Sequence, residues 1–528
     1  MSEIGKQLSL TRQAATKGGA ATTQVPMSNP HPTMTTPHQC GGCLSRRRCL
    51  QIVSTAAAGL AFSGELLPAL AKTRKADPDF VDPSRFRPRP KVRLEAAILE
   101  QPHPSGVFWP GSGWDVVEHR KEYRARLAQS CQRLALELRQ EEQPILDEAG
   151  LTAFLKAVQA RKPDGLVVIL QHMACWGWVT RLANEAGVPL IVFAPIGTSF
   201  VGHVAGISRK PGVYVVSSLE WPALEDGLRM VRAKRMFEET RVLWIKGDQR
   251  SEIVLDRLGT KVRAIPRSTF NELFDWMPVN AEVKDVASDF RKHATRVREP
   301  NWQDLLNSAR TYTTAKRLLC DEQANAISMD CLGMVSSKLV PTPPCRPWTE
   351  FQDMGVTCAC EADLYGATSL MLTSYLLDRP GYMNDPVAET AQNLLVAAHC
   401  VSATRINGFD QPRAPHILRS HSETGIGVSV QVLWPVGATV SLIRFNNPTE
   451  LILDAGTVAY NNDTPPAGGC RTNVAIRMNR VEDSRDVLGF HQVVTLGDHR
   501  HIVQAFCQLY GINVIHSPEH PAPAKANA

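Results

Sequence analysis

The chain has 528 residues, 43% of them hydrophobic and 21% charged, with 35 Gly and 36 Pro. That balance excludes disordered, collagen-like and coiled-coil proteins and leaves room for about three globular domains. Of the net charge of +6, residues 1–71 hold +4, with six Lys/Arg against Glu3 and Glu65. The remainder carries 52 basic and 50 acidic residues, which leaves no electrostatic footprint for nucleic acid. Such a body reads as a soluble enzyme or binding protein. Thirteen cysteines in this length make no disulfide scaffold, and no second CxxC partners Cys40–Cys43 to build a zinc site.

Residues 1–71 read as a leader. The first 44 are rich in Thr, Ser, Pro, Gly and Gln without apolar periodicity, the signature of disorder. Arg46, Arg47 and Arg48 then precede a mildly apolar stretch, Ile52 to Phe62, too short to span a bilayer. Pro68-Ala69-Leu70-Ala71 supplies small residues at the spacing a signal peptidase reads. The arrangement resembles a bacterial twin-arginine export signal, which implies the twin-arginine machinery as a partner and a periplasmic destination. The alternative is a cytoplasmic protein with a chance basic patch. Met27 and Met34 offer later starts that give a leader of ordinary length.

Residues 72–92 are charged and proline-rich, as a linker is. Beyond them strand-like and helix-like segments alternate: a strand at Leu94–Leu99, a helix over Glu118–Gln140, and a buried parallel strand at Gly165–Gln171. A helix over Trp176–Gly187 and strands at Val188–Ala194 and Val213–Ser217 follow, then a helix over Pro222–Glu239. The pattern restarts with Arg241–Lys246, Asp256–Leu258 and Val262–Ile265, and with helical stretches from Glu282 to Leu319. Past Gly408 short strands alternate with turn residues. The expected fold class is α/β: two doubly wound α/β domains, 93–240 and 241–378, then a mostly β C-terminal domain, 379–515. Residues 516–528 read as a disordered tail. Neither Leu94–Leu99 nor Arg241–Lys246 leads into GxGxxG, so a dinucleotide site is poorly supported.

The densest polar cluster lies between 358 and 500. Glu361 and Asp363 sit just before an apolar helix, Thr368–Leu377, where the plain reading is a capping pair. Asp385 lies in a Gly-Tyr-Met-Asn-Asp-Pro segment that could be a simple turn. His491 stands immediately before a strand that ends in Gly497-Asp498.

Taken together, these segments resemble the L-fucose isomerase family, related to L-arabinose isomerases. The matching stretches are CEADLYGA at 360–367, RPGYMNDP at 379–386, HC at 399–400, GCRT at 469–472, FHQVVTLGD at 490–498 and QLYGINV at 508–514. The resemblance implies an aldose–ketose isomerase acting on a free monosaccharide, assembled as a homo-oligomer. It implies a divalent metal held by Glu361, Asp385 and His491, with Glu361 and Asp385 sharing the acid and base roles. Two carboxylates and an imidazole suit Mn²⁺ or Mg²⁺. Two departures stand out: the interval from Asp385 to His491 is shorter than in L-fucose isomerases, and an export leader is unlike that family.

His399, His421 and Arg471 are candidates for hydrogen bonds to sugar hydroxyls. Phe108, Trp109, Trp114, Trp176 and Trp178 offer faces for stacking on a sugar. Two rivals remain: a sugar-binding or sensing protein on the same fold, and a metal-dependent lyase or hydrolase acting on a sugar derivative.

Overall fold

The computed structural model describes residues 81–102, 110–463 and 469–518, all within the compact unit Asp77–Ala528. The leader with its twin-arginine-like segment lies outside these residues, as do Phe108 and Trp109. No helix among the described residues is long and apolar enough to cross a membrane.

The continuous apolar runs of the first third become buried parallel strands. In chain order they are β1 (Arg93–Leu99), α1 (Val116–Arg133), β2 (Glu137–Gln140), α2 (Glu148–Arg161), β3 (Gly165–Leu170), α3 (Trp176–Glu185), β4 (Leu190–Ala194), α4 (Val201–Ile207), β5 (Val213–Ser217) and α5 (Trp221–Glu239). The five strands form one parallel sheet in the order β2-β1-β3-β4-β5. Every residue of β3 and β4 is buried, as central strands covered on both faces require.

The next stretch runs β6 (Arg241–Ile245), β7 (Ser251–Val254), β8 (Lys261–Ile265), α6 (Arg267–Trp276), α7 (Ala281–His293), β9 (Arg296–Val297), α8 (Trp302–Asp321), β10 (Ala326–Met329), α9 (Cys331–Ser336), α10 (Cys345–Asp353), β11 (Thr357–Ala359) and α11 (Leu364–Leu376). Its sheet has the order β11-β10-β6-β8-β7 and is parallel except for β7, which pairs antiparallel with β8. Helix α11 is buried at twelve of its thirteen positions. It packs on α5 from the first region, on β11 from the second and on β16 of the sheet that follows.

The last third comprises β12 (Tyr382–Glu389), β13 (Leu394–His399), β14 (His416–Arg419), β15 (Ser429–Val432), β16 (Thr439–Asn447), β17 (Glu450–Asn461), β18 (Thr472–Met478), β19 (Gln492–Leu496), α12 (Arg500–Leu509) and β20 (Asn513–Ile515). Seven strands pair in the order β16-β19-β12-β13-β18-β17-β20, and β16 also pairs with β17. Six antiparallel strands therefore close into a barrel without free edges. The fold is mixed α/β with a β-rich C-terminal region. The cores are shared along the chain: α12 buries Ile502, Val503 and Phe506 in the same cluster as Phe193 and Phe237 of the first region. Gln508 also donates to the Val213 carbonyl, at 3.1 Å.

Several local expectations need correction. The helix read over Glu118–Gln140 stops at Arg133, because Ala135 takes a left-handed φ of 56° and Glu137–Gln140 pairs with β1. Asp256–Leu258 is a turn between β7 and β8, with Arg257 and Gly259 both at positive φ. From Val81 on, the segment read as a linker is docked. Pro83–Phe86 forms a 3₁₀ turn capped by Asp82, and Arg87 donates to Asp378 at 2.7 Å. The tail read as disordered is anchored at its start, where Asp454 accepts from both the amide and the hydroxyl of Ser517.

Candidate metal centre

Glu361 follows β11 in a turn where both Glu361 (φ 57°) and Ala362 (φ 52°) occupy the left-handed region. For residues with a Cβ this is an uncommon and costly backbone, tolerated where surrounding contacts over-determine it. Here the Ala362 amide donates to the Met329 carbonyl at 3.0 Å, and the Ala362 carbonyl accepts from Trp244 Nε1 at 2.5 Å. Asp385 lies on β12 opposite Ala398 of β13, and His399 is the last residue of β13. His491 stands immediately before β19, also left-handed at φ 55°. Since β19, β12 and β13 are adjacent in the barrel, His491, Asp385 and His399 come together where the pairing of β12 passes from β19 to β13.

Ligand-type atoms of Glu361, Asp385, His399 and His491 all lie within 4.8 Å of one another. His491 Nε2 is 3.1 Å from Asp385 Oδ1 and 3.4 Å from Glu361 Oε2. His399 Nε2 is 3.9 Å from Glu361 Oε1. His491 Nε2 and Asp385 Oδ1 are both buried without a hydrogen-bond partner. Two acceptor atoms facing each other at this distance need a proton or a cation between them.

The electrostatics follow from this crowding. Burial opposes a charge on His491, but the carboxylates of Asp363, Asp385 and Glu361 outweigh it and push its pKa up to about 11. Burial likewise opposes the charge on Asp385, yet the contact with His491 holds that carboxyl below the usual range. His399 goes the other way, since burial keeps it neutral. Its Nδ1 accepts from the Val401 amide at 3.2 Å. In the neutral ring the proton is then on Nε2, the nitrogen that faces Glu361.

Of the other candidates, His421 bonds to Thr424 Oγ1 through Nδ1 at 3.0 Å and stays outside the four-residue group. Arg471, one position before β18, donates from Nε to the Ser420 carbonyl at 2.8 Å. Trp176 and Trp178 are core residues whose indole N–H groups bond to the Thr198 carbonyl and to Glu148, so they are no stacking platform. Trp114 is half-buried, stacks on His119 and bonds to Gln171. The aromatic ring beside the cluster is Phe490, 58% exposed, with its centroid 4.2 Å from that of His491.

Sequence reasoning missed two features. Asp363 does more than cap a helix, because its Oδ2 accepts from His491 Nδ1 at 2.8 Å and from Arg444 Nη1 at 2.5 Å. Nothing in local spacing announces Arg444, which reaches the turn from β16. The second feature is the thiol of Cys400, which bonds to Cys470; that contact and the Ser422 and Arg471 amides lower its pKa.

No family model matches the chain. Over 80 residues, 14% of this chain and 18% of the relative, it is 32% identical to sulfoquinovose isomerase of Clostridium sp. (strain MSTE9). The similarity to a sugar isomerase is thus short and covers a small part of either protein. Among solved structures, an ABC-transporter solute-binding protein from Burkholderia multivorans aligns over 48% of this chain and 86% of its own. Identity there is 11% and the TM-score 0.16, too low to bear on the fold.

Proposed function

We propose that the protein is a metal-dependent aldose–ketose isomerase acting on a free monosaccharide. The observation that carries this reading is the pair of orphaned buried atoms, His491 Nε2 and Asp385 Oδ1, 3.1 Å apart with Glu361 beside them. The partial similarity to a sugar isomerase supports it. Glu361, Asp385 and His491 would hold the ion, and this oxygen-rich set suits Mn²⁺ or Mg²⁺.

When bound, a divalent cation polarises the sugar carbonyl and makes the proton on C2 more acidic. Glu361 and Asp385 are partly exposed while both histidines are buried, so the carboxylates face an entering sugar. One carboxylate takes the C2 proton to give a cis-enediolate with its charge on O1. A proton passes from O2 to O1, and return of a proton to C1 then yields the ketose. His399, with its proton on Nε2, is placed to donate to a sugar oxygen beside Glu361. Its Nδ1 is already engaged by the Val401 amide, which argues for a donor rather than a fourth ligand.

The test is a sugar panel with the full chain, stripped of metal and then supplied with Mn²⁺, read by solvent deuterium incorporated at C1 or C2. Sulfoquinovose belongs on that panel beside neutral aldoses such as L-fucose. Exchange that needs the metal supports the isomerase. Sugar binding without exchange moves the protein to a binding role, and products of altered mass move it to a lyase or hydrolase.

A further inference from the structure

The structure assigns to Asp363 a positioning role: its carboxylate fixes His491 in the tautomer that leaves Nε2 free for a cation. This rests on the reading of Glu361, Asp385 and His491 as a metal centre.

Asp363 Oδ1 accepts from the amides of Tyr365 and Gly366, both at 2.9 Å, and so caps α11. Oδ2 accepts from Arg444 Nη1 and from His491 Nδ1. A carboxylate flanked by four donors is acceptor-only, so the Nδ1 proton stays in place and Nε2 is the nitrogen that gives up its proton to a cation, on the side of Asp385 and Glu361. Carboxylate–histidine pairs of this kind set ring orientation and raise the basicity of the ligating nitrogen.

The surroundings are shaped for this pair. A Cβ on Gly366 would lie 2.8 Å from Met383 Sδ, 3.0 Å from Asp363 Oδ2 and 3.2 Å from Arg444 Nη1. Glycine at that position lets the carboxylate and the guanidinium close against the first turn of α11. Arg444 also donates to the His491 carbonyl at 3.4 Å, tying the left-handed residue to the same anchor. A helix cap needs no such arginine, and the amides of Tyr365 and Gly366 already satisfy it.

Asp363→Asn separates capping from positioning. Asparagine caps helices as well as aspartate does. Either orientation of its amide, however, sets an N–H against a donor. With oxygen kept on the cap, the NH₂ group faces His491 Nδ1, which must then accept, and the proton moves to Nε2. The full-length protein is titrated with Mn²⁺ by calorimetry, and metal-stripped samples are melted by circular dichroism. The variant is expected to bind Mn²⁺ roughly 10- to 100-fold more weakly while the metal-free melting temperature stays near wild type. Equal Mn²⁺ affinity overturns the assignment. Failure of the wild type itself to bind a divalent cation instead overturns the metal-centre reading. A second measurement needs no altered residue at Asp363: in the ¹⁵N-histidine-labelled wild type with Zn²⁺, His491 should show a protonated Nδ1. A protonated Nε2 overturns the proposal even if the variant does not fold.

Discussion

His399 and His491 meet edge to face, with ring centroids 6.1 Å apart, yet their Nδ1 atoms play opposite hydrogen-bonding roles. His491 Nδ1 donates to Asp363, whereas His399 Nδ1 accepts from the Val401 amide. With a cation bound, one ring therefore presents a lone pair to the cluster and the other an N–H. The expectation is that His399→Gln binds one Mn²⁺ per chain with affinity within about threefold of wild type, while its KM for sugar rises about fivefold, the loss of one hydrogen bond. His491→Gln should lose the metal itself. Metal analysis after gel filtration, beside steady-state kinetics, checks both. Loss of metal from the His399 variant would make that residue a ligand instead.

Glu361 gives a sharper expectation. Its side chain is partly exposed in a turn held by Trp244 and Met329, so Glu361→Gln should leave circular dichroism and melting unchanged. At saturating Mn²⁺, kcat should fall at least about 100-fold, the scale of a missing acid–base group. Deuterium exchange at C2, followed by NMR in the same samples, should fall in parallel. Undiminished exchange would remove Glu361 from the chemistry.

Strands β1, β3, β4, β5, β6 and β8 were legible because they are short apolar runs bounded by polar or turn residues. The edge strands β2, β7 and β11 were not, nor was the interior strand β10. All of β7 is exposed and pairs only with β8, so its residues carry no burial signal. Strand β2 directly follows a helix whose amphipathic pattern continues into it. The sharing of one core between α12 and the first sheet is long-range and has no local signature. For the site, Glu361, Asp385 and His491 could be grouped only through a resemblance of short motifs, because nothing in a spacing of 106 residues brings Asp385 and His491 together. Their contact arises from β12 and β19 being barrel neighbours, a pairing set by the whole barrel. Arg444 and the tautomer-setting amide of Val401 were invisible for the same reason.

Gly381 shows how closely α11 backs this barrel. A Cβ there would lie 2.3 Å from Val493 Cγ1, 2.8 Å from Thr373 Oγ1 and 3.1 Å from Leu370 Cδ2. Val493 belongs to β19, and Thr373 and Leu370 to α11, so the glycine lets the chain enter β12 between them. Gly381→Ala should destabilise the protein by about 1–3 kcal/mol through overpacking. Urea unfolding would read this as a lower midpoint at unchanged slope. A wild-type midpoint would mean that the helix and barrel can separate without loss.

Acid should weaken the fold in two stages, led by His416 and Glu350, which lie away from the metal centre. His416 on β14 is buried, and burial, aided by Arg346 and Arg413, lowers its pKa from 6.5 to about 4. The unfolded chain takes a proton there near pH 6.5 while the folded one does not. The contribution of the neutral ring is therefore complete above pH 6.5 and is lost as the pH falls towards 4, about 3 kcal/mol in all. For Glu350, burial opposes the charge, but Arg346 and Arg413 outweigh it and bring the pKa from 4.5 to about 2. Its stabilisation is present above pH 4.5 and disappears as the pH falls through 2. Urea unfolding of the full chain from pH 8 to pH 4 measures the first stage. His416→Gln should flatten it substantially, leaving the part contributed by His172, His399, His421 and His499, whose pKa values burial also lowers. An unchanged pH slope in that variant would show that His416 takes up its proton in the folded state after all.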